Sequence, residues 1–464
     1  MVSRVLLGIA FAAIALALFA LRPSPTPGPA LRDFEAYWSA GAAHDAGADP
    51  YGTAIWAAER RVPGVDASRD EILPFVGPPA ALPLWGLLAR LPYAQAAAIW
   101  SALLALSLAA LVAAAVLGAG ARGATAFLAA LALALGCGPI TSALALGQIA
   151  LPAFAGACIF ALLAQSSLAL AIPAAALALL QPNAALGLLS QIGRKPAAAG
   201  LAAAAALAYA AGAFAAGWAW PLAYARMLAA HLRAERFDAI QFTPASIAFG
   251  LGATHGAAAV AAWVLAPAAV AAAVALARRA RDPFARFAAF SALSPFVASF
   301  FHEHDLVVAF AATVWTALHA RGSTRALALA GTLLVCIDWL GLAQRPTGIA
   351  QSACLAIAAA CAFVALGGAG DLRWLTAAGA GVALTFSGAA RAAADRPMPV
   401  WPDAIRGYAA PAHTAIAQIW SAEQDAAGLH AAVPLWAIVR ALSLLGCALL
   451  AAAIYQHSAY RRTA

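Results

Sequence analysis

Charge is scarce in this chain, and lysine is nearly missing. Only 10% of its 464 residues are Asp, Glu, Lys or Arg, and Lys195 is the single lysine. A soluble globular domain carries about 25% charged residues, so that class is excluded for the chain as a whole. With so little lysine, any bound anion must be held by arginine, helix N-termini, hydroxyls or amides. Cysteine is sparse as well. Positions 137, 158, 336, 354, 361 and 447 stand singly inside apolar segments with no CxxC spacing, which favours small packing residues over ligands or disulfides. The formal charge of +8 and pI near 9.5 do not point to nucleic acid, because no basic run interleaves with aromatics. The arginines fall between apolar stretches and read as topology signals at a membrane face.

What the chain has in abundance is apolar length. Hydrophobic residues make up 64% of it and the mean hydropathy is +0.85, which predicts an all-α polytopic membrane protein forming one integral unit over residues 1–464. Stretches able to span a bilayer lie near 5–21, 96–118, 123–138, 148–164, 168–190, 197–217, 257–277, 284–300, 305–320, 324–342, 350–366, 374–390 and 434–455. The first is followed by a Pro-rich segment, Arg22 to Pro29, with no convincing cleavage site, and reads as a retained helix. The stretch 72–92 is interrupted by Pro74, Pro78, Pro79, Pro83 and Pro92 and suits an interfacial or partly re-entrant helix. Arginine clusters at 194–195, 278–281, 321–325 and 461–462 all fall on the cytoplasmic side only if 168–190, broken at Gln181-Pro182-Asn183, enters and leaves by one face. The expectation is therefore about twelve transmembrane helices, a Pro-broken re-entrant hairpin and cytoplasmic termini in a bacterial-type inner membrane. Residues 22–95 then form a first outer loop with interfacial helices, and 391–433 form a late outer loop.

Polar residues concentrate on that outer face. Asp33 lies in a dense aromatic stretch with Phe34, Tyr37 and Trp38. It is either the N-cap of an interfacial helix or a general base able to take a proton from a sugar or lipid hydroxyl. Glu35 falls elsewhere on the helix and reads as solvated. Gln148, Gln181 and Asn183 are amides at membrane depth, either gluing helices together or hydrogen bonding a polar head group. His302-Glu303-His304-Asp305 is the densest titratable cluster beside a span. Alternate histidines on a helix diverge, which disfavours a metal and leaves a phosphate contact, an internal pairing network or plain loop solvation.

The order of these features resembles glycosyltransferase family 87. The matching elements are Asp33-Phe34 with Tyr37, Pro50-Tyr51, Pro74-Phe75 with Pro78-Pro79, Gly147-Gln148, the break at Pro182, and Ser294-Pro295 ahead of His302 to Asp305. The resemblance runs from Asp33 to about Asp305. It implies the C-type glycosyltransferase fold, a polyprenyl-phosphate sugar donor, a mannose-like transferred sugar, and Asp33 as the catalytic carboxylate. Gln148, Gln181, Asn183, Tyr37, His302, His304 and Asp305 become donor- or acceptor-binding candidates. No cofactor or metal is expected, and the partners are the lipid-linked donor, a lipid or glycan acceptor and membrane lipids, with no nucleic acid. The chain departs from the family where members usually carry Tyr-Pro-Pro, Gly-Gln-x-Asn and Lys-Pro-Gln. Here these read Gly77-Pro78-Pro79, Gly147-Gln148-Ile149-Ala150 and Gln181-Pro182-Asn183, so Arg32, Arg226, Arg233 or Arg236 would have to replace the missing lysine. A lipid or polysaccharide translocator without chemistry, or a non-catalytic family member, are the competing expectations.

Overall fold

The computed structural model describes residues 31–63, 65, 73–337 and 415–463. Among these there are 18 α-helices and no sheet. The expected spans near 5–21, 350–366 and 374–390, and the part of the late outer loop before 415, lie outside the described residues.

Long alanine- and leucine-rich runs give the continuous helices, and the His255–Arg279 helix carries Pro267 in its interior. Tyr93–Gly118, Lys195–Ala216, His255–Arg279 and Pro434–Ala459 are each long and apolar enough to cross a membrane. A fifth candidate is the pair Ala124–Gly136 and Gly138–Leu146, bent by 69° where Cys137-Gly138-Pro139 interrupts it. This corrects the count of about twelve: the described residues supply four such helices, or five with the bent pair. The remaining apolar stretches are split or short. Ala150–Leu163 has 14 residues, about 21 Å of helix against a hydrocarbon core of about 30 Å. The stretch 284–300 becomes the helix Pro283–Leu293 and a 3-10 turn at Ser294–Phe296. The stretch 305–320 becomes a 3-10 segment, Glu303–Ala309, leading into Phe310–His319. Residues 79–89 form one short apolar helical piece with no span, as the prolines require.

The basic residues at 194 and 279 fall in one region. Gln191 Nε2 donates to the Pro283 carbonyl at 3.1 Å, Arg194 lies within electrostatic reach of Asp282 and Arg286, and Trp315 Nε1 donates to Asp282 Oδ2 at 2.8 Å. The Arg279 guanidinium sits over the Tyr455 ring at 4.5 Å. Helices Ala150–Leu163 and Leu168–Ala178 pack closely enough that a Cβ on Gly156 would meet Ala174 and Ala178, while one on Gly200 would meet Leu168 and Phe160. That register makes the two helices antiparallel. Leu168 thus starts beside the Lys195 helix, the chain turns at Gln181-Pro182-Asn183, and it returns to the basic region by Gln191.

Away from these contacts an aromatic box fixes the segment that begins at Leu31. Phe34 stacks on Trp100 with centroids 5.8 Å apart, and Tyr37 stacks on Trp85 at 4.7 Å. Trp100 Nε1 donates to the Gly147 carbonyl at 2.7 Å, which joins the Tyr93–Gly118 helix to the turn that carries Gln148. Gly147 holds φ 78°, a left-handed conformation suited to ending the helix Gly138–Leu146.

Candidate functional site

Asp33 lies in the first turn of the helix Arg32–Asp45, whose N-cap is Leu31. The N-cap reading of Asp33 is therefore corrected: its carboxylate is turned to another part of the chain. Gln148 Nε2 donates to Asp33 Oδ2, and Tyr37 Oη donates to Gln148 Oε1 at 2.7 Å. One amide oriented by a buried phenol fixes one carboxylate oxygen. Tyr37 is stationed by ring stacking on Trp85, so the aromatic box positions the acid through two hydrogen bonds.

A second carboxylate is held from the other side. Asp305 is 1% exposed and accepts from Gln181 Nε2 at 2.9 Å, Asn183 Nδ2 at 3.0 Å and the His302 backbone N–H at 3.0 Å. Asn183 Nδ2 also donates to the Phe300 carbonyl at 2.8 Å. The amides of the Pro-broken turn thus donate to Asp305, and they lock that turn to the segment carrying the histidines. The expectation that His302 and His304 diverge is corrected. His302 is extended, with φ −98° and ψ 173°, ahead of the 3-10 segment, and the two imidazoles approach to 5.4 Å between centroids. Ligand atoms of His302, His304 and Asp305 all lie within 4.8 Å of one another. Asp305 also brackets three donors at once, Gln181 on Oδ1 and Asn183 with the His302 N–H on Oδ2.

Asp33 and the histidine cluster face one cavity of about 260 Å³, whose walls include Tyr37, Gln148, Gln181, His302 and His304. Asn183 and Asp305 stand behind this wall. The remaining surface is largely apolar, from Ile240, Phe242, Phe300, Trp420, Leu429 and Trp436. The two histidines are driven apart electrostatically. Burial opposes the charged form of His302, but the Glu235 hydrogen bond and charge, with Asp305 and Asp33, outweigh it and raise its pKa. Burial lowers the pKa of His304, with Asp305 and Asp33 opposing and His302 assisting. The site therefore favours one imidazolium beside one neutral imidazole.

Several participants were invisible in the sequence reading. Glu235 is 2% exposed and lines the cavity. In the sequence only its flanking arginines, Arg233 and Arg236, stood out. Gln241 and Trp420 also belong to the network around it. Glu35, expected to be solvated, is buried and paired with Arg32 at 2.8 Å. Burial, the largest effect, raises its pKa to about 7 despite Arg32. Of Arg32, Arg226, Arg233 and Arg236, Arg32 alone is among the cavity-lining residues described. Comparison with family models, characterised proteins and solved structures returns no match.

Proposed function

We propose that this chain is an integral membrane glycosyltransferase that moves a mannose-like sugar from a polyprenyl-phosphate donor to a hydroxyl of a lipid or glycan acceptor on the non-cytoplasmic face. The observation that carries the reading is the convergence of Asp33, Gln148 and the His302–His304 pair on one cavity, away from the basic residues at 194 and 279. The positive-inside tendency then puts that cavity outside. A C-type glycosyltransferase arrangement, with several of its helices interrupted, is part of this proposal.

In the reaction, Asp33 takes the proton from the acceptor hydroxyl, whose oxygen attacks the anomeric carbon from the face opposite the phosphate. The bond between that carbon and the phosphate oxygen breaks with its electron pair, and polyprenyl phosphate departs. A single displacement converts a β-linked donor to an α-linked product, by the opposite-face logic of inverting glycosyl chemistry. Gln148 orients Asp33, so the base is held before the substrate arrives. The cation favoured at His302, with the amide of Gln181, faces the charge that develops on the departing phosphate. Neither step requires a metal. The apolar cavity wall supplies the low-dielectric setting in which these charges act strongly.

The test is transfer by purified full-length protein from a panel of radiolabelled polyprenyl-phosphate sugars to lipid and glycan acceptors. Labelled product from at least one donor, lost in Asp33→Asn, is expected. Absence of product from every donor, together with lipid flux in vesicles, would support translocation in its place.

A further inference from the structure

Behind His302 stands a buried carboxylate that no step above uses. Glu235 closes the helix Trp220–Glu235, and its Oε2 lies 3.3 Å from His302 Nε2. Gln241 Nε2 donates to the same oxygen at 2.9 Å and lies 3.1 Å from His302 Nε2. Gln241 Oε1 in turn accepts the Phe301 backbone N–H at 2.8 Å. The other carboxylate oxygen, Oε1, accepts from Trp420 Nε1. Glu235 is thus clamped by two donors from separate parts of the chain and aimed at one ring nitrogen of a cavity-lining histidine.

A carboxylate that costs several kcal/mol to bury and still points at an imidazole is arranged to keep that imidazole charged and oriented. We propose that Glu235 is a positioning residue: it holds His302 as the cation that receives the phosphate of the lipid-linked donor, and Trp420 brings the segment after 415 into the same assembly. The proposal rests on the transferase reading and adds to it the group that sets the phosphate-binding charge. The other groups acting on His302 are Asp305, Asp33, His304 and Asp238. Asp305 and Asp33 assist the cation. His304 and His302 act as like charges only when both are protonated, and the pKa of His304 is lowered. Asp238 is itself engaged by His430 at 2.7 Å. Glu235 is the one of these carboxylates whose side chain contacts the His302 ring among the described residues.

The sign of the effect follows from the linkage. If His302 must be charged, phosphate binding is full below the pKa of His302 and falls as pH rises through it, and transfer, which also needs Asp33 ionised, shares that alkaline limb. Removing the Glu235 charge lowers that pKa, by about 1 to 3 pH units for an opposite charge at this range, so the alkaline limb moves to lower pH. Three measurements on full-length protein in detergent test this for wild type, Glu235→Gln and Glu235→Asp. They are 15N NMR titration of His302, assigned with His302→Asn; binding of polyprenyl phosphate followed by tryptophan fluorescence; and the pH profile of transfer. Glu235→Gln should shift the titration and both alkaline limbs down together, with low-pH values largely kept, and Glu235→Asp should recover part of the shift. An unmoved His302 titration, or a loss uniform in pH, would overturn the proposal. If wild type binds polyprenyl phosphate with the expected limb but transfers nothing, the transferase reading fails while the Glu235–His302 coupling stands.

Discussion

Replacing Asp305 should separate its role as a hydrogen-bond bracket from its role as a charge. In Asp305→Ala three donors lose their acceptor: Gln181 Nε2, Asn183 Nδ2 and the His302 N–H. Each orphaned buried donor costs about 1 to 3 kcal/mol. Gln181 and Asn183 are only half-buried, so water from the cavity can replace part of what is lost, and the low end applies, roughly 3 kcal/mol in all. Asp305→Asn is milder. Its oxygen can still accept from Asn183 and His302, and its new amide faces Gln181, which can rotate its own amide to present an oxygen. The remaining cost is the loss of charge assistance, about 1 kcal/mol. Stability can be followed by thermal exposure of thiols, because Cys137, Cys158, Cys336 and Cys447 are all buried. The midpoint should fall in the order wild type, Asp305→Asn, Asp305→Ala. Adding Gln181→Ala to Asp305→Ala should cost less than it does in wild type. Equal damage from both Asp305 substitutions, or none from either, would refute the bracket.

Glu35 should give the protein a pH-dependent stability. Its folded pKa of about 7 lies above its ordinary value of 4.5, so the stabilisation it contributes is complete below the ordinary value and fades as pH rises toward about 7. Glu35→Gln should flatten that fall, by up to the order of 3 kcal/mol less whatever Arg32 loses as its partner; thermal midpoints measured across that range check it. Gly41→Ala should destabilise by about 1 to 3 kcal/mol, because a Cβ there would come within 2.3 Å of the Trp85 backbone; the same thiol-exposure midpoint reads it. For topology, cysteines placed at positions 195, 279 and 461 of a cysteine-free protein should label from the cytoplasm, and one at position 46 from outside. Labelling of 279 and 46 from the same side would overturn the two-ended arrangement.

The polar half of the site was legible because it stands against an almost featureless background. In a chain this apolar, Asp33, Gln148, Gln181, Asn183 and the His302 to Asp305 run are conspicuous, and each has a cost at membrane depth that only a partner or a wet cavity relieves. Their pairings were not legible, since Gln148 meets Asp33 from 115 positions away. The helix count failed for a related reason. Hydropathy measures how long a sequence stays apolar, not whether its helix is continuous, so the 3-10 breaks at Ser294–Phe296 and Glu303–Ala309 left no mark on it. Glu35 was misread because helical periodicity gives a direction about the helix axis and says nothing of what covers it. Glu235 was not legible because its partners, His302 and Trp420, come from distant parts of the chain.

The account stands on Asp33 as the base. The most direct test is the rate of sugar transfer from a defined polyprenyl-phosphate donor by Asp33→Asn protein, with thermal midpoint and polyprenyl phosphate binding measured on the same sample. The amide is nearly isosteric and can still meet Gln148, so folding and donor binding should persist while transfer falls by about 10² to 10⁴-fold. Glu35→Gln should change the rate far less. Near-wild-type transfer by Asp33→Asn would contradict the account and place the base elsewhere.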